Sequence, residues 1–133
     1  MTCFWDGILN SLQHNDFKII GINKPNNIDE LINVFKSYNI KPIDITWNGN
    51  ILKEQEMKEH MESIKVFDSS GKNSGYFCST CDSFLLLLCQ LLHLNVIHKY
   101  RDTLIKYIHK KKTMKTLYFG SDNGHFWFNK RLQ

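Results

Sequence analysis

Apolar residues recur every three or four positions in four stretches of the chain, and this spacing predicts helices. In the first stretch Phe4, Trp5, Ile8, Leu9 and Leu12 share one face. The fourth stretch is apolar nearly all round, so we expect it to be a central, buried helix. The four predicted helices run from Cys3 to Gln13, from about Asp29 to Tyr38 with Asn27 as cap, from Leu52 to Phe67, and from about Cys81 to His93 with Ser79 or Thr80 as cap.

Apolar residues alternate with polar ones in five shorter stretches, a pattern typical of strands. The last two strands are joined by the turn from Gly120 to Gly124, which predicts a hairpin. Polar, turn-forming residues surround a short apolar piece, Phe17 to Ile22, and fill the loop from Asp68 to Gly75. The predicted strands are Ile43 to Trp47, Val96 to Tyr100, Leu104 to Ile108, Thr116 to Phe119 and His125 to Asn129.

These elements predict an α+β fold in which N-terminal helices pack on a small antiparallel sheet around a buried central helix. A chain of 133 residues with 42% hydrophobic content suits one domain over residues 1–133. The longest apolar run, Phe84 to Cys89, is too short to span a bilayer, and the N-terminus lacks the pattern of a signal peptide. We therefore expect a soluble, cytoplasmic monomer without a membrane partner.

The net charge of +4 comes partly from a lysine cluster, Lys110, Lys111, Lys112 and Lys115. Such a run usually belongs to a solvated loop or helix end, so nucleic acid is the less favoured partner, and an acidic protein face is an alternative. The four cysteines are expected to be free thiols, because a core of this size does not need disulfides.

Two reactive side chains lie near opposite ends of the chain. Cys3 falls in the first turn of a predicted helix, where the helix dipole favours a thiolate. His125 begins the last predicted strand, so His125, Trp127 and Asn129 point to one face. If the ends meet, the thiol and the imidazole make a nucleophile and its base. The alternative is that Cys3 is a small apolar residue of a fraying terminus and that His125 packs in an aromatic hairpin.

A second group of residues could hold zinc. Cys78, Cys81, Cys89 and His93 supply four suitable ligands within one short segment. However, Cys89 and His93 fall on the apolar helix, and a structural zinc site normally takes its two ligand pairs from different elements. We therefore expect no metal and no other cofactor.

Several motifs of the chain resemble the ovarian tumour (OTU) family of papain-like cysteine proteases, which remove ubiquitin. The segment Cys3-Phe4-Trp5-Asp6-Gly7-Ile8 is similar to the nucleophile motif of that family, a cysteine before large apolar residues at the head of a helix. Gly124-His125-Phe126-Trp127 is similar to its histidine motif, a strand and short turn followed by histidine and an aromatic residue. The order of elements between these motifs is also similar. The small size resembles the viral branch of the family.

The resemblance implies a papain-like fold and a thiol protease that cleaves after the C-terminal glycine of ubiquitin or a ubiquitin-like modifier, and that also has the chemistry to cleave a viral polyprotein. It implies that Cys3 is the nucleophile and His125 the base. The family commonly places Asn or Asp two positions after the histidine, where this chain has Trp127. Asn129 is therefore predicted to orient the imidazole, with Asp122 and Asn123 as alternatives, and a Cys3–His125 dyad without any orienting residue as a further alternative. The channel for the substrate's Gly-Gly tail is predicted at Ser79, Thr80, Asn123, Gly124 and Trp127.

Two other functions stay open on the sequence. The missing orienting residue and the absence of the family's upstream loop before Cys3 are also compatible with a ubiquitin-binding module that has lost activity. The lysine cluster and the exposed aromatic residues are compatible with a small nucleic-acid-binding protein.

Overall fold

The computed structural model describes residues 3–73, 80–111, 113, 115–122 and 124–129. Within them the chain has an α+β fold, as predicted. The helices are α1 (Cys3–Ser11), α2 (Ile28–Ser37), α3 (Glu54–Val66) and α4 (Ser83–Leu92), with 3₁₀ helices at His14–Ile20 and Ser69–Asn73. The strands are β1 (Ile45–Trp47), β2 (Asn50–Ile51), β3 (Asn95–Tyr100), β4 (Thr103–His109), β5 (Thr116–Ser121) and β6 (Phe126–Phe128).

The strands form one six-stranded sheet in the order β2-β1-β4-β3-β5-β6. The prediction of an antiparallel sheet is wrong at one pair, because β3 and β5 are parallel, with Asn95 opposite Thr116 and Tyr100 opposite Ser121. β4 folds back antiparallel on β3, and β5 lies on the other side of β3 with its first residue, Thr116, beside the first residue of β3, Asn95. β5 therefore runs in the direction of β3.

Side chains of the central strands alternate between a buried and an exposed face. On β3 the side chains of Val96 and His98 are buried and that of Lys99 is exposed, and on β4 Ile105 and Tyr107 are buried while Lys106 is exposed. α4 lies against the buried face and contacts β1, β3 and β4 on one side and α2 and α3 on the other. Every residue from Phe84 to Leu92 is buried, so the prediction of a central, buried helix is confirmed.

Side-chain caps begin α2 and α4. The cap of α2 is the predicted residue, and the cap of α4 is a different one. Asn27 caps α2, and its Oδ1 accepts a hydrogen bond from the Glu30 amide at 2.9 Å. The predicted cap of α4 at Ser79 or Thr80 is wrong for Thr80, and Ser79 lies outside the described residues. Asp82 is the cap, since its Oδ1 accepts from the amides of Phe84 at 2.9 Å and Leu85 at 3.0 Å. A carboxylate also suits the positive end of the helix dipole.

Two stretches predicted as loops contain short helices. The apolar piece from Phe17 to Ile22 falls mostly within the 3₁₀ helix His14–Ile20, and the loop from Asp68 to Gly75 contains a second one at Ser69–Asn73. The buried ring of Phe17 explains the first, because it belongs to the core. None of the helices in the described parts of the chain is both long and apolar enough to cross a membrane.

The lysine cluster contacts the protein itself at three of its members. Lys115 forms a 2.8 Å ion pair with the buried carboxylate of Asp16. The Lys110 ammonium donates to the Ile43 carbonyl at 3.3 Å, and Lys111 lies 3.9 Å from the Asp44 carboxylate. Lys112 lies outside the described residues. These contacts hold Lys110, Lys111 and Lys115 against the protein.

Candidate active site

Cys3 and His125 lie side by side although 122 positions separate them in the sequence. The Cys3 Sγ is 3.3 Å from the His125 Nδ1, which is a hydrogen-bonding distance for sulfur. Cys3 is the first residue of α1 and is half-buried, while His125 directly precedes β6 and is exposed. The pair therefore forms where the start of one helix meets the start of the edge strand.

A glycine allows α1 to approach β6 closely enough for this contact. A Cβ atom on Gly7 would lie 3.0 Å from two ring carbons of Phe126. Residues four apart lie above one another on a helix, so Cys3 and Gly7 share the face that meets β6. Phe4 packs beside them, with its ring centroid 4.9 Å from that of Phe126. The apolar contact of α1 with Phe126 thus sets the position of the thiol.

A tight turn positions the histidine. The amide of Asp122 donates to the His125 carbonyl at 3.0 Å, and the amide of Gly124 donates to the Asp122 carboxylate at 3.0 Å. Ser121 and Phe126 pair directly beyond the turn. The turn therefore holds the backbone of His125 in line with β6.

The indole of Trp127 packs against the imidazole of His125. The rings of His125 and Trp127 are stacked, with centroids 5.5 Å apart and planes inclined by 22°. Trp127 in turn covers Gly120 of β5, where a Cβ atom would lie 2.6 to 2.7 Å from three adjacent indole atoms. Three nearly equal distances mean that the indole lies face-on against the glycine. Because no larger residue fits under the ring, Gly120 fixes Trp127 and so restricts the His125 ring.

A second, buried histidine lies beneath the hairpin. The side chain of His98 is fully buried, and its Nε2 is 2.6 Å from the Ser121 Oγ. Its ring centroid is 5.5 Å from that of Phe126. Burial lowers the pKa of His98 from 6.5 to about 4, so this imidazole is neutral at neutral pH. His98 thereby links β3 to the last residue of β5, just before the turn that carries His125.

Two of the predicted orienting residues, Asn129 and Asp122, are not brought to the imidazole. Asn129 shares the strand face with His125, but four residues of strand separate their Cα atoms by roughly 13 Å. The Asn129 amide donates to the Tyr118 carbonyl at 2.8 Å. The Asp122 carboxylate accepts from Gly124 instead, and Asn123 lies outside the described residues. Within the described parts of the chain, no hydrogen bond reaches the Nε2 of His125.

The predicted substrate-binding residues divide into two places. Gly124 and Trp127 flank His125, and Trp127 is 40% exposed. Thr80 is exposed before α4, where its carbonyl accepts from the Tyr107 hydroxyl at 2.9 Å. No hydrogen bond or ion pair of the described residues joins Thr80 to Cys3 or His125. Ser79 and Asn123 lie outside the described residues.

The other described cysteines lack the surroundings of a nucleophile. Burial raises the pKa of Cys81 to about 12 and also raises that of the fully buried Cys89. Both therefore stay protonated thiols at neutral pH. All three described cysteines are free. In the predicted zinc group, Cys78 lies outside the described residues, and the described residues contain no group of three or more His, Cys, Asp and Glu that could hold a metal ion.

Four residues that position the pair were missed by sequence reasoning: Gly7, His98, Gly120 and Ser121. Gly7 carried a signal, because glycine inside a helix costs stability and often marks a close approach. Gly120 was assigned to the turn instead of to the strand. His98 and Ser121 gave no signal, since they come together only through the parallel pairing of β3 with β5.

Comparison with known proteins gives no match, since no family model, curated protein or solved structure is significantly similar to this chain. The resemblance to the OTU family therefore rests on the motifs around Cys3 and His125 and on the order of elements between them.

Proposed function

We propose that this protein is a cysteine hydrolase with Cys3 as nucleophile and His125 as general base and acid. The 3.3 Å contact between the Cys3 Sγ and the His125 Nδ1 carries the proposal. A nucleophile and its base within hydrogen-bonding reach are the signature of covalent catalysis. The exposure of His125 and the partial exposure of Cys3 leave the pair accessible to a substrate.

The reaction proposed is acyl transfer. His125 accepts the Cys3 proton, and the thiolate attacks a substrate carbonyl to give a tetrahedral oxyanion. The Cys3 amide at the start of α1 is one donor for this oxyanion. His125 then protonates the leaving amine as the C–N bond breaks. Water, deprotonated by His125, hydrolyses the thioester and releases the carboxylic acid and the free thiol.

The proposed substrate is a ubiquitin or ubiquitin-like chain cleaved after its C-terminal glycine. This choice rests on the OTU-like motifs at Cys3 and His125, and the papain-like fold is part of the same proposal. The ring of Trp127 beside His125 suits the wall of a channel narrow enough to select glycine. A viral origin and cleavage of a polyprotein are further proposals from the same resemblance.

A ubiquitin probe with a C-terminal electrophile tests the enzyme and its substrate together. The wild-type chain should gain the mass of one probe at Cys3, and Cys3→Ala should gain none. Cys81→Ala is the matched control and should be labelled like the wild type, since its thiol is largely buried. The wild type and Cys81→Ala should also cleave a ubiquitin fluorogenic substrate, and Cys3→Ala should not.

Alkylation by iodoacetamide tests the reactivity of Cys3 and His125 independently of the proposed substrate. One outcome is that the probe does not label the chain, although iodoacetamide alkylates Cys3 much faster than a free cysteine at neutral pH and this alkylation slows in His125→Ala. The assignment of Cys3 as nucleophile would then be supported, and the assignment of ubiquitin as substrate would be wrong. If Cys3 alkylates no faster than free cysteine and His125→Ala changes nothing, the hydrolase proposal itself is wrong.

One observation favours a second function, a ubiquitin-binding module without catalysis. Within the described residues no side chain orients the His125 ring through its Nε2, so the imidazole depends on Trp127 for its position. Tight ubiquitin binding by calorimetry, with neither probe labelling nor cleavage, would support this function over the hydrolase.

A further inference from the structure

The sheet has a second surface, on the side away from the helices, which we call the open face. It consists of Ile97, Lys99, Leu104, Lys106, Tyr118 and Trp127. Lys99 and Lys106 are exposed, and Leu104 and Trp127 are 47% and 40% exposed. Most of these residues, with Arg101 and Asn129, line a shallow concavity of about 620 Å³. A concave surface of this size is large enough for a ligand of several rings.

Strand register arranges the open face in two parallel rows. Leu104 pairs with Lys99, Lys99 with Gly120 and Gly120 with Trp127, which gives one row across four strands. In the next row Lys106 pairs with Ile97 and Ile97 with Tyr118. Each row therefore holds a cation and an aromatic ring with one residue between them, Lys99 and Trp127 in the first row and Lys106 and Tyr118 in the second.

The aromatic ends are built as flat platforms. Trp127 lies face-on against Gly120, is 40% exposed, and also stacks with the ring of His125. Tyr118 precedes Gly120 by two positions on the same strand face, about 7 Å away along β5. Two aromatic rings at that spacing on an open sheet can stack two successive bases.

The charge of the open face complements a phosphate backbone. Lys99, Lys106 and Arg101 are cationic and exposed. The acidic residue lining the concavity is Asp122, whose carboxylate accepts a hydrogen bond from the Gly124 amide. The lysine cluster that suggested nucleic acid in the sequence lies elsewhere and contacts Asp16, Asp44 and Ile43.

We propose that the open face binds single-stranded nucleic acid, with bases stacked on Trp127 and Tyr118 and phosphates held by Lys99, Lys106 and Arg101. The alternation of flat rings with cations favours this ligand over an acidic protein segment, which offers charge but no planar rings. The inference does not need the hydrolase chemistry, since Cys3 and His125 take no part in it, but the two sites share Trp127, which stacks with His125.

Fluorescence anisotropy of labelled ten-nucleotide oligo(U) and oligo(dT) tests the proposal with the full chain. Binding should weaken with salt at a logarithmic slope of about −2, since each contacted phosphate of a single strand contributes about −0.7. Binding of either oligonucleotide supports the proposal, and their ratio shows which sugar is preferred. No binding of either at low salt overturns it.

Substitutions distinguish binding by base stacking and phosphate contacts on the open face from binding by the net charge of the protein. Trp127→Leu, which still covers Gly120, should weaken binding about tenfold, while Trp127→Phe should retain most of it. Lys99→Glu with Lys106→Glu should weaken binding more than tenfold. The matched control, Lys58→Glu with Lys65→Glu on the exposed side of α3, changes the net charge equally and should have a much smaller effect.

Two results would overturn the proposal even if the oligonucleotides bind. One is an equal loss of affinity in the α3 control, which would mean unspecific attraction to a basic protein. The other is displacement of labelled oligo(U) by a polyglutamate peptide as effectively as by unlabelled oligo(U), which would make the open face a site for an acidic protein. Thermal denaturation of each variant confirms that it is folded.

Discussion

The interior around α4 and the edge formed by α1 and β6 are stabilised in different ways. α4 is buried from Phe84 to Leu92 and contacts helices on one side and three strands on the other. The edge consists of the nine residues of α1 against the three of β6. The interior thus has many redundant contacts, whereas the position of the candidate pair depends on a few.

The two regions therefore contribute different properties, the interior stability and the edge the geometry of the candidate pair. Large apolar side chains in the interior supply the free energy of folding, and they bring no reactive group to the surface. At the edge, Gly7 and the turn before His125 supply little burial, and together with the buried ring of Phe126 they set the 3.3 Å distance between thiol and imidazole. Substitutions in the interior should therefore change stability, and substitutions at the edge should change reactivity.

His125→Ala should have the largest effect, and it should act on reactivity alone. Loss of a positioned general base lowers a rate by about 10² to 10⁴, which corresponds to roughly 3 to 5 kcal/mol of barrier. Because His125 is exposed, the free energy of unfolding should change by less than about 0.5 kcal/mol. Hydrolysis or Cys3 alkylation rates, together with urea unfolding, measure both quantities. A large loss of stability would contradict the separation of the two regions.

Leu88→Ala should give the opposite result in the interior. Leu88 is fully buried, so its truncation leaves a cavity and should cost about 2 to 5 kcal/mol of unfolding free energy. The reaction rate of the molecules that remain folded should stay within about twofold, because no hydrogen bond between described residues joins α4 to Cys3 or His125. Leu104→Ala, at an exposed leucine, is the control and should cost less than about 1 kcal/mol. A rate loss as large as that of His125→Ala would mean that the two regions are coupled.

The sequence predicted the interior better than the edge, for a physical reason. Helical periodicity is a local signal, and it located α4 to within two residues at its start and one at its end. The sheet depends on non-local pairing, so the parallel neighbours β3 and β5 and the contact of His98 with Ser121 were missed. Pairing of Cys3 with His125 could be proposed from residue type and chain position. Asn129 could not serve as predicted, because strand spacing carries it about 13 Å from His125.

Acid should weaken the contact between the edge and the sheet through His98. Its pKa is lowered from 6.5 to about 4 by burial, so protonation favours the unfolded chain. The stabilisation is complete above pH 6.5 and is lost as the pH falls towards 4, by roughly 3 kcal/mol in total. Urea unfolding at pH 7, 5.5 and 4.5 should show this loss.

A glutamine variant isolates the contribution of His98 from that of carboxyl groups, which titrate in part of the same range. His98→Gln keeps a polar atom near the Ser121 hydroxyl but does not titrate. The difference in unfolding free energy between the wild type and this variant should therefore shrink as the pH falls from 6.5 to 4. A difference that stays constant with pH would mean that His98 does not titrate on unfolding.

Gly7→Ala should have a smaller effect on stability than Leu88→Ala, and it tests most directly what holds the edge in place. Alanine gains about 1 kcal/mol of helix propensity over glycine, but its Cβ would lie 3.0 Å from the Phe126 ring. That ring is confined by Phe4 and Phe119, so α1 has to move outward at a cost of about 1 to 3 kcal/mol. The two terms together should lower the free energy of unfolding by about 0 to 2 kcal/mol. The outward shift lengthens the distance from Cys3 to His125, so the alkylation rate of Cys3 should fall towards that of His125→Ala. An unchanged rate in a fully folded variant would show that Gly7 and Phe126 do not set the geometry of the pair.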